Sequence, residues 1–168
     1  MFYRNQKGLC DQIFQFFKEG INKSERCVFL STQNDVHEMY TRLASSSDRF
    51  KVTKLFSYYF MPDPVKNSNE FVAKFTRLKE IILTEKFHGR VAFNVLGDIS
   101  RFNIEDVSNI ENAEKYLHSI ANDKLKLFCS LQVGKESKTT VKMLEMSLSN
   151  HDHAIFENED GGFTQKKL

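Results

Sequence analysis

The chain alternates short, continuously apolar runs with longer segments that carry apolar residues on one helical stripe. The clearest apolar runs are CVFL (27–30), VAFNVL (91–96) and LKLFCSLQV (125–133). Such runs are typical of strands buried on both faces of a parallel sheet. Parallel neighbours need crossover connections, usually helices, and these crossovers are right-handed. The alternation therefore predicts a three-layer α/β domain with a mainly parallel central sheet.

The intervening segments have the spacing of amphipathic helices. We expect helices over 8–20, from Val36 to Ala44, from Phe71 to Ile82, from Ile110 to Ile120 and from Val141 to Leu148. Two further strands are expected at FKVTKLF (50–56) and AIF (154–156). The stretch YYFMPDPVKNSN is expected to form a loop, because its two prolines disfavour both a helix and a strand ladder.

A length of 168 residues suits a single domain. We find no internal repeat, low-complexity segment or linker in the sequence. Residues 1–156 are therefore predicted to form one α/β domain, and the polar residues 157–168 a frayed C-terminal tail.

The composition narrows the class of partner. The 24 basic and 22 acidic residues give a net charge of +2, which does not favour direct binding to nucleic acid or to a membrane. Cys10, Cys27 and Cys129 are far apart and show no C-x-x-C spacing, so we expect a reducing, cytoplasmic location. The 16 phenylalanines fit either a well-filled core or an apolar ligand pocket.

Candidate ligand-binding residues follow the predicted strands, because ligands of open parallel sheets bind beyond the strands' carboxyl ends. They are Ser31, Thr32, Gln33, Asp98, Arg101 and Gln132. Asp98 can be read in two ways. It stands where nucleotide-hydrolysing folds place a magnesium-positioning carboxylate, but a Gly-Asp turn also places an Asp to accept local backbone hydrogen bonds.

Neither candidate phosphate loop carries the residues that phosphate binding needs. STQND (31–35) has no glycine or lysine, and GKESKTT (134–140) lacks the leading glycine and has Glu136 where the magnesium-binding hydroxyl belongs. His151 and His153 have permissible metal-ligand spacing, but no cysteine or carboxylate pattern completes a ligand set. No G-x-S-x-G elbow is present. We therefore assign no catalytic residue, no cofactor and no metal, with the two histidines as weak metal candidates.

Several segments resemble the MEDS sensory domain of DcmR-like regulators, named for methanogen and methylotroph proteins. Gly20, Ile21 and Glu25 are similar to the family's "GL..GE" segment, and FHGRVAFNVLGDISRF is similar to its "G..GLRV.GEM.W" segment. LKLFCSLQV resembles the family's strand with a central cysteine. The stretch with His151 and His153 resembles its terminal "L..HP.VI", although Asp152 replaces the usual proline and Asp98 the usual glutamate.

The resemblance implies a RecA/KaiC-like core without a P-loop that senses small molecules, such as hydrocarbon derivatives. Signalling would then pass through a homodimer or a separate signalling protein. Two other functions remain open. One is a degenerate ATPase-like domain that still binds a nucleotide through Asp98 or Lys135. The other is a ligand-free scaffold with Tyr58, Tyr59 and Phe60 as its partner surface.

Overall fold

The computed structural model describes residues 1–4, 6–31, 36–82, 88–120, 124–134, 137–158 and 160–168. The helices are α1 (Gln6–Asn22), α2 (Val36–Ser46), α3 (Arg49–Leu55), α4 (Ser68–Ile82), α5 (Ile104–Ile120) and α6 (Lys138–Asn150). The strands are β1 (Phe2–Tyr3), β2 (Arg26–Ser31), β3 (Phe56–Phe60), β4 (Gly89–Asp98), β5 (Leu125–Gln132), β6 (His153–Glu157) and β7 (Phe163–Lys167). None of the helices described is long and apolar enough to cross a lipid bilayer.

The strands form a single mixed sheet in the order β3-β2-β4-β5-β1-β6-β7. All neighbouring pairs are parallel except β6 and β7, which are antiparallel. One apolar core packs α1, α2 and α3 against one face of the sheet, and a second packs α4, α5 and α6 against the other. The predicted α/β class with a mostly parallel, doubly covered sheet is confirmed.

The prediction of a strand over 50–56 is wrong. Residues Arg49–Leu55 form α3, and the strand β3 follows it, extending into the stretch expected to be a loop. The Asp48 carboxylate caps the helix by accepting hydrogen bonds from the N–H groups of Phe50 (2.8 Å) and Lys51 (3.3 Å). Val52 and Leu55 are buried and lie three residues apart, which is helical spacing, while Phe50 is 77% exposed. The buried residues therefore follow a helical period and not the alternation of a strand.

The prediction of a frayed tail is also wrong. Phe163–Lys167 forms β7, which pairs with β6 from Glu157↔Phe163 to His153↔Lys167. A tight turn joins the two strands, with Gly161 at a φ of 80°, a conformation that favours glycine. The polar tail therefore supplies one edge of the sheet.

The strand β1 gave no periodic signal because it has only two residues. Phe2 and Tyr3 nevertheless lie in the interior of the sheet, where β1 pairs with both β5 and β6. The two side chains point to opposite faces, and each joins a different apolar core.

Candidate functional site

The topological switch point of this sheet lies at β1. The chain leaves β1 through α1 towards β2 on one side, and leaves β5 through α6 towards β6 on the other. Ligands of open α/β sheets bind at the carboxyl edge of such a point. Only residues 4 and 5 separate β1 from α1, however, whereas a phosphate loop needs the longer G-x-x-x-x-G-K-[ST] segment. The Arg4 N–H instead donates to the Glu157 carboxylate.

The Asp98 carboxylate joins the ends of β4 and β5. Its Oδ1 accepts hydrogen bonds from the N–H groups of Ser100 (2.9 Å) and Gly134 (3.0 Å), and the first of these caps the short 3₁₀ helix Ile99–Arg101. A Cβ at position 134 would collide with this carboxylate. Desolvation raises the pKa of Asp98, but the hydrogen bonds and the nearby Arg101 outweigh it, so the pKa lies below its usual value.

Of the four predicted ligand-binding residues that the structure describes, Asp98, Arg101 and Gln132 lie together, and Ser31 belongs to a different strand. Asp98 and Gln132 pair across β4 and β5, and the Arg101 guanidinium lies 3.9 Å from the Asp98 carboxylate with its side chain largely in solvent. Ser31 is buried at the end of β2, and Asp98 lies further along β4 than Phe93, the last residue that pairs with β2. Thr32 and Gln33 lie outside the described residues.

The weak metal candidates, His151 and His153, line a cavity of about 560 Å³ beside α5, α6 and the beginning of β5. His151 Nδ1 lies 2.8 Å from the Ser147 carbonyl oxygen, so Nδ1 carries the proton that the carbonyl accepts. Glu114 also lines the cavity, and its burial raises its pKa to about 7. Within the described ranges, no group of three or more His, Cys, Asp or Glu side chains is placed to hold a metal ion.

Residues that carry the family resemblance assemble at the opposite, amino-terminal end of β4. The Arg90 side chain is 3% exposed, and its Nε donates to the Glu25 carboxylate. Its Nη1 lies 3.0 Å from Glu19 Oε2 and 3.1 Å from the Phe16 carbonyl oxygen. A Cβ on Gly20 would lie only 2.7 Å from Arg90 Cδ, so glycine makes room for this side chain. We call Glu19, Gly20, Glu25 and Arg90 the Arg90 cluster.

These ionic contacts shift the pKa values of the cluster. The hydrogen bonds from Arg90 and Lys23 lower the pKa of Glu19 to about 2. Desolvation raises the pKa of Glu25, but Arg90 and Lys126 outweigh it, and the Lys126 Nζ lies 3.0 Å from Glu25 Oε1. The cluster thus pairs each of its charges in the fold, and it lies away from the carboxyl edge of the sheet.

A depression lined mainly by aromatic residues lies between α2 and β3, and we call it the α2–β3 groove. Its volume is about 670 Å³, within the range of small-molecule sites. The lining residues are His37, Tyr40, Phe56, Ser57, Tyr58, Tyr59 and Phe60. Tyr58 is 51% and Phe60 48% exposed, and their rings meet edge to face at 5.9 Å between centroids. Of the described residues that line the groove, none is Asp, Glu, Lys or Arg.

The groove was not among the predicted ligand-binding residues, although Tyr58, Tyr59 and Phe60 were named as a candidate partner surface. Most of its aromatic residues fall in the stretch that we expected to be a loop, and His37 and Tyr40 come from a different helix. Alternation in β3 puts Phe56, Tyr58 and Phe60 on one face, which becomes evident only once α3 is seen to end at Leu55. The run FSYYF, rich in the aromatic residues that favour strands, was the available signal.

Comparisons with known proteins agree on the fold alone. No protein-family model and no curated protein matches the chain. Among solved structures the chain is similar to one described as an ATPase domain, with a TM-score of 0.63 and 11% identity over 95% of this chain and 68% of that one. The protein therefore has an α/β fold with a mixed, mostly parallel seven-stranded sheet that matches a RecA-like ATPase domain.

Proposed function

We propose that this chain is a RecA-like domain that binds a small, uncharged, largely apolar molecule in the α2–β3 groove and serves as a cytoplasmic sensor. The observation that carries the proposal is the groove itself, where exposed aromatic rings lie beside hydroxyl groups and an imidazole. Ligand sites are typically apolar and aromatic depressions with a few polar groups that orient the ligand. A flat ligand with a single hydroxyl group suits such a lining.

The absence of formal charge in the described lining restricts the ligand class. A phosphate or carboxylate ligand would need cationic or backbone N–H partners to replace its water, whereas a neutral aromatic or aliphatic molecule needs only apolar contact. The MEDS resemblance supports the same class, since it implies sensing of hydrocarbon derivatives. We therefore propose membership of that family together with the function.

Nucleotide hydrolysis has less support. The connection from β1 to α1 leaves room for only two residues at the switch point, and the Asp98 carboxylate is already engaged by two backbone N–H groups. A domain that binds Mg-ATP without hydrolysing it is the alternative, and it would depend on Asp98 or on Lys135, which lies outside the described residues.

Thermal unfolding with 2-naphthol and with Mg-ATP in parallel separates these two functions. A ligand at about 100 times its dissociation constant stabilises the native state by about 2.7 kcal/mol, which moves the midpoint by several degrees. We expect 2-naphthol to raise the midpoint of the wild-type protein and of Phe50→Ala, but not of Tyr58→Ala/Phe60→Ala. A rise with Mg-ATP alone, lost in Asp98→Ala, would contradict the proposal and favour nucleotide binding.

A further inference from the structure

The outer side of β3 carries backbone groups that face away from the sheet. The Met61 N–H donates to the Ser31 carbonyl oxygen of β2 at 3.2 Å, so backbone groups of residues 57, 59 and 61 face β2. Backbone groups alternate along a strand. Those of Phe56, Tyr58 and Phe60 therefore face outward.

Two of these outward groups already have partners. The Phe56 N–H donates to the Val52 carbonyl oxygen at the end of α3, and the Phe60 carbonyl oxygen accepts from the Lys74 ammonium. Both groups of Tyr58, the Phe60 N–H and the Phe56 carbonyl oxygen remain without a partner in the described part of the chain. The outward backbone groups of β3 are therefore hydrogen-bonded at the two ends of the strand and available for hydrogen bonding between them.

The open groups are self-complementary under a two-fold axis through Tyr58. In an antiparallel pair of β3 strands, the two Tyr58 residues would exchange both of their N–H···O bonds. Each Phe60 N–H would then face the free Phe56 carbonyl oxygen of the other copy. The same pairing would also bring the Phe56 N–H of one copy towards the Phe60 carbonyl oxygen of the other. Both of these groups already have a hydrogen-bond partner within their own chain.

We propose that two copies of this chain pair antiparallel through their β3 strands, which joins the two sheets into one. Phe56–Phe60 contains no charged residue, so identical strands meet without like-charge repulsion. The half-exposed side chains of Tyr58 add an aromatic pair across the two-fold axis, and Phe60, also about half exposed, extends the aromatic surface beside it. The pairing needs no ligand and does not depend on the proposed function.

The other edge of the sheet shows the contrast. Strand β7 has the sequence FTQKK, and its exposed lysines are the kind of residue that prevents edge-to-edge pairing. A second copy is therefore expected at β3 and not at β7.

Sedimentation velocity from micromolar to near-millimolar concentration tests the pairing. We expect wild-type protein to become dimeric as concentration rises, with Tyr58→Lys and Tyr58→Glu each monomeric and a mixture of the two dimeric again. Gln165→Lys, the same change in the middle of β7, should dimerise like the wild type. A wild type that stays monomeric throughout, or a Tyr58→Lys variant that dimerises equally well, would overturn the proposal.

Amide hydrogen exchange supplies a second readout that needs no variant. The amides of Tyr58 and Phe60 should exchange more slowly in concentrated than in dilute wild-type protein, because pairing places them in hydrogen bonds. Equal exchange of both amides at the two concentrations, in a sample that sediments as a dimer, would place the interface elsewhere and contradict the pairing.

Discussion

The Arg90 cluster and the α2–β3 groove are opposite kinds of region. In the cluster, the Arg90 side chain is 3% exposed, and its guanidinium contacts two carboxylates and a carbonyl oxygen. The guanidinium carbon also lies 4.9 Å from the centroid of the Phe16 ring. In the groove, Tyr58 and Phe60 leave about half of their surface in solvent. Polar and charged groups that satisfy one another stabilise a fold, whereas aromatic rings grouped in one exposed depression form a candidate binding surface.

This difference bears on the family resemblance. Arg90 is distant in sequence from Gly20 and Glu25, yet its side chain contacts both of them in the interior of the fold. Motif residues of this kind specify the fold, and they leave the ligand undefined. The groove residues belong to none of the segments that carry the resemblance.

Arg90→Met is expected to have the largest effect on stability. It leaves Glu25, whose side chain is 7% exposed, without its buried partner. Breaking a buried ion pair from one side lowers the free energy of unfolding by about 3–5 kcal/mol, which chemical denaturation would measure. Arg42→Met is the control, because the Arg42–Asp11 pair is partly exposed and should contribute less than about 1 kcal/mol. Equal losses in the two variants would contradict the structural role of the cluster.

Gly20→Ala should lower stability by about 1–3 kcal/mol, the usual cost of overpacking a tight contact. The added Cβ would lie 2.6 Å from Cys27 Sγ and 2.7 Å from Arg90 Cδ. Helix propensity alone predicts the opposite sign, a gain of up to about 1 kcal/mol. A variant that is stabilised in chemical denaturation would therefore show that the cluster is loosely packed, and the comparison with the groove would fail.

The loss of stability in acid should show the contribution of the Glu19 carboxylate. Its pKa of about 2 in the folded protein lies below the value of 4.5 expected when unfolded, so its contribution is present above about pH 4.5 and is lost as pH falls towards 2. We expect Glu19→Gln to lose less stability than the wild type across this window, as followed by circular dichroism. Parallel curves for the two proteins would mean that the Arg90 contact contributes nothing.

Tyr58→Ala and Phe60→Ala should have the smallest effect on folding. Both rings are about half exposed and pack against each other, so stability should change by no more than about 0.5 kcal/mol. The affinity for 2-naphthol should nevertheless fall at least about tenfold, equivalent to about 1.4 kcal/mol, in a fluorescence titration. A large loss of stability would place these rings in the core and remove the distinction between the two regions.

The layers of the fold were predictable because long apolar runs and helical stripes depend on local sequence. The structure of Arg49–Phe60 was not predictable, because FKVTKLF fits strand alternation as well as a helix. The Asp48 cap and the burial of Val52 and Leu55 favour the helix. β1 is too short to show a period, and β7 is polar because it forms an edge.

Ligand-binding residues were predicted just after the strands' carboxyl ends, and that prediction remains untested. The groove that we propose adjoins the same end of the sheet, since Phe60 pairs with Ser31. The residues differ, however. For Asp98, the turn reading predicted a local backbone hydrogen bond of the kind that the Ser100 N–H donates, but the sequence position could not show the contact with Gly134 from the next strand.

Amide chemical shifts of the protein titrated with 2-naphthol would locate the bound molecule. We expect the shifts of wild-type protein to change at His37, Tyr40 and Tyr58–Phe60, the changes to saturate, and the changes to vanish in Tyr58→Ala/Phe60→Ala. Changes confined to Asp98 and Gly134, or no saturable change at all, would contradict the assignment of the α2–β3 groove as the ligand site.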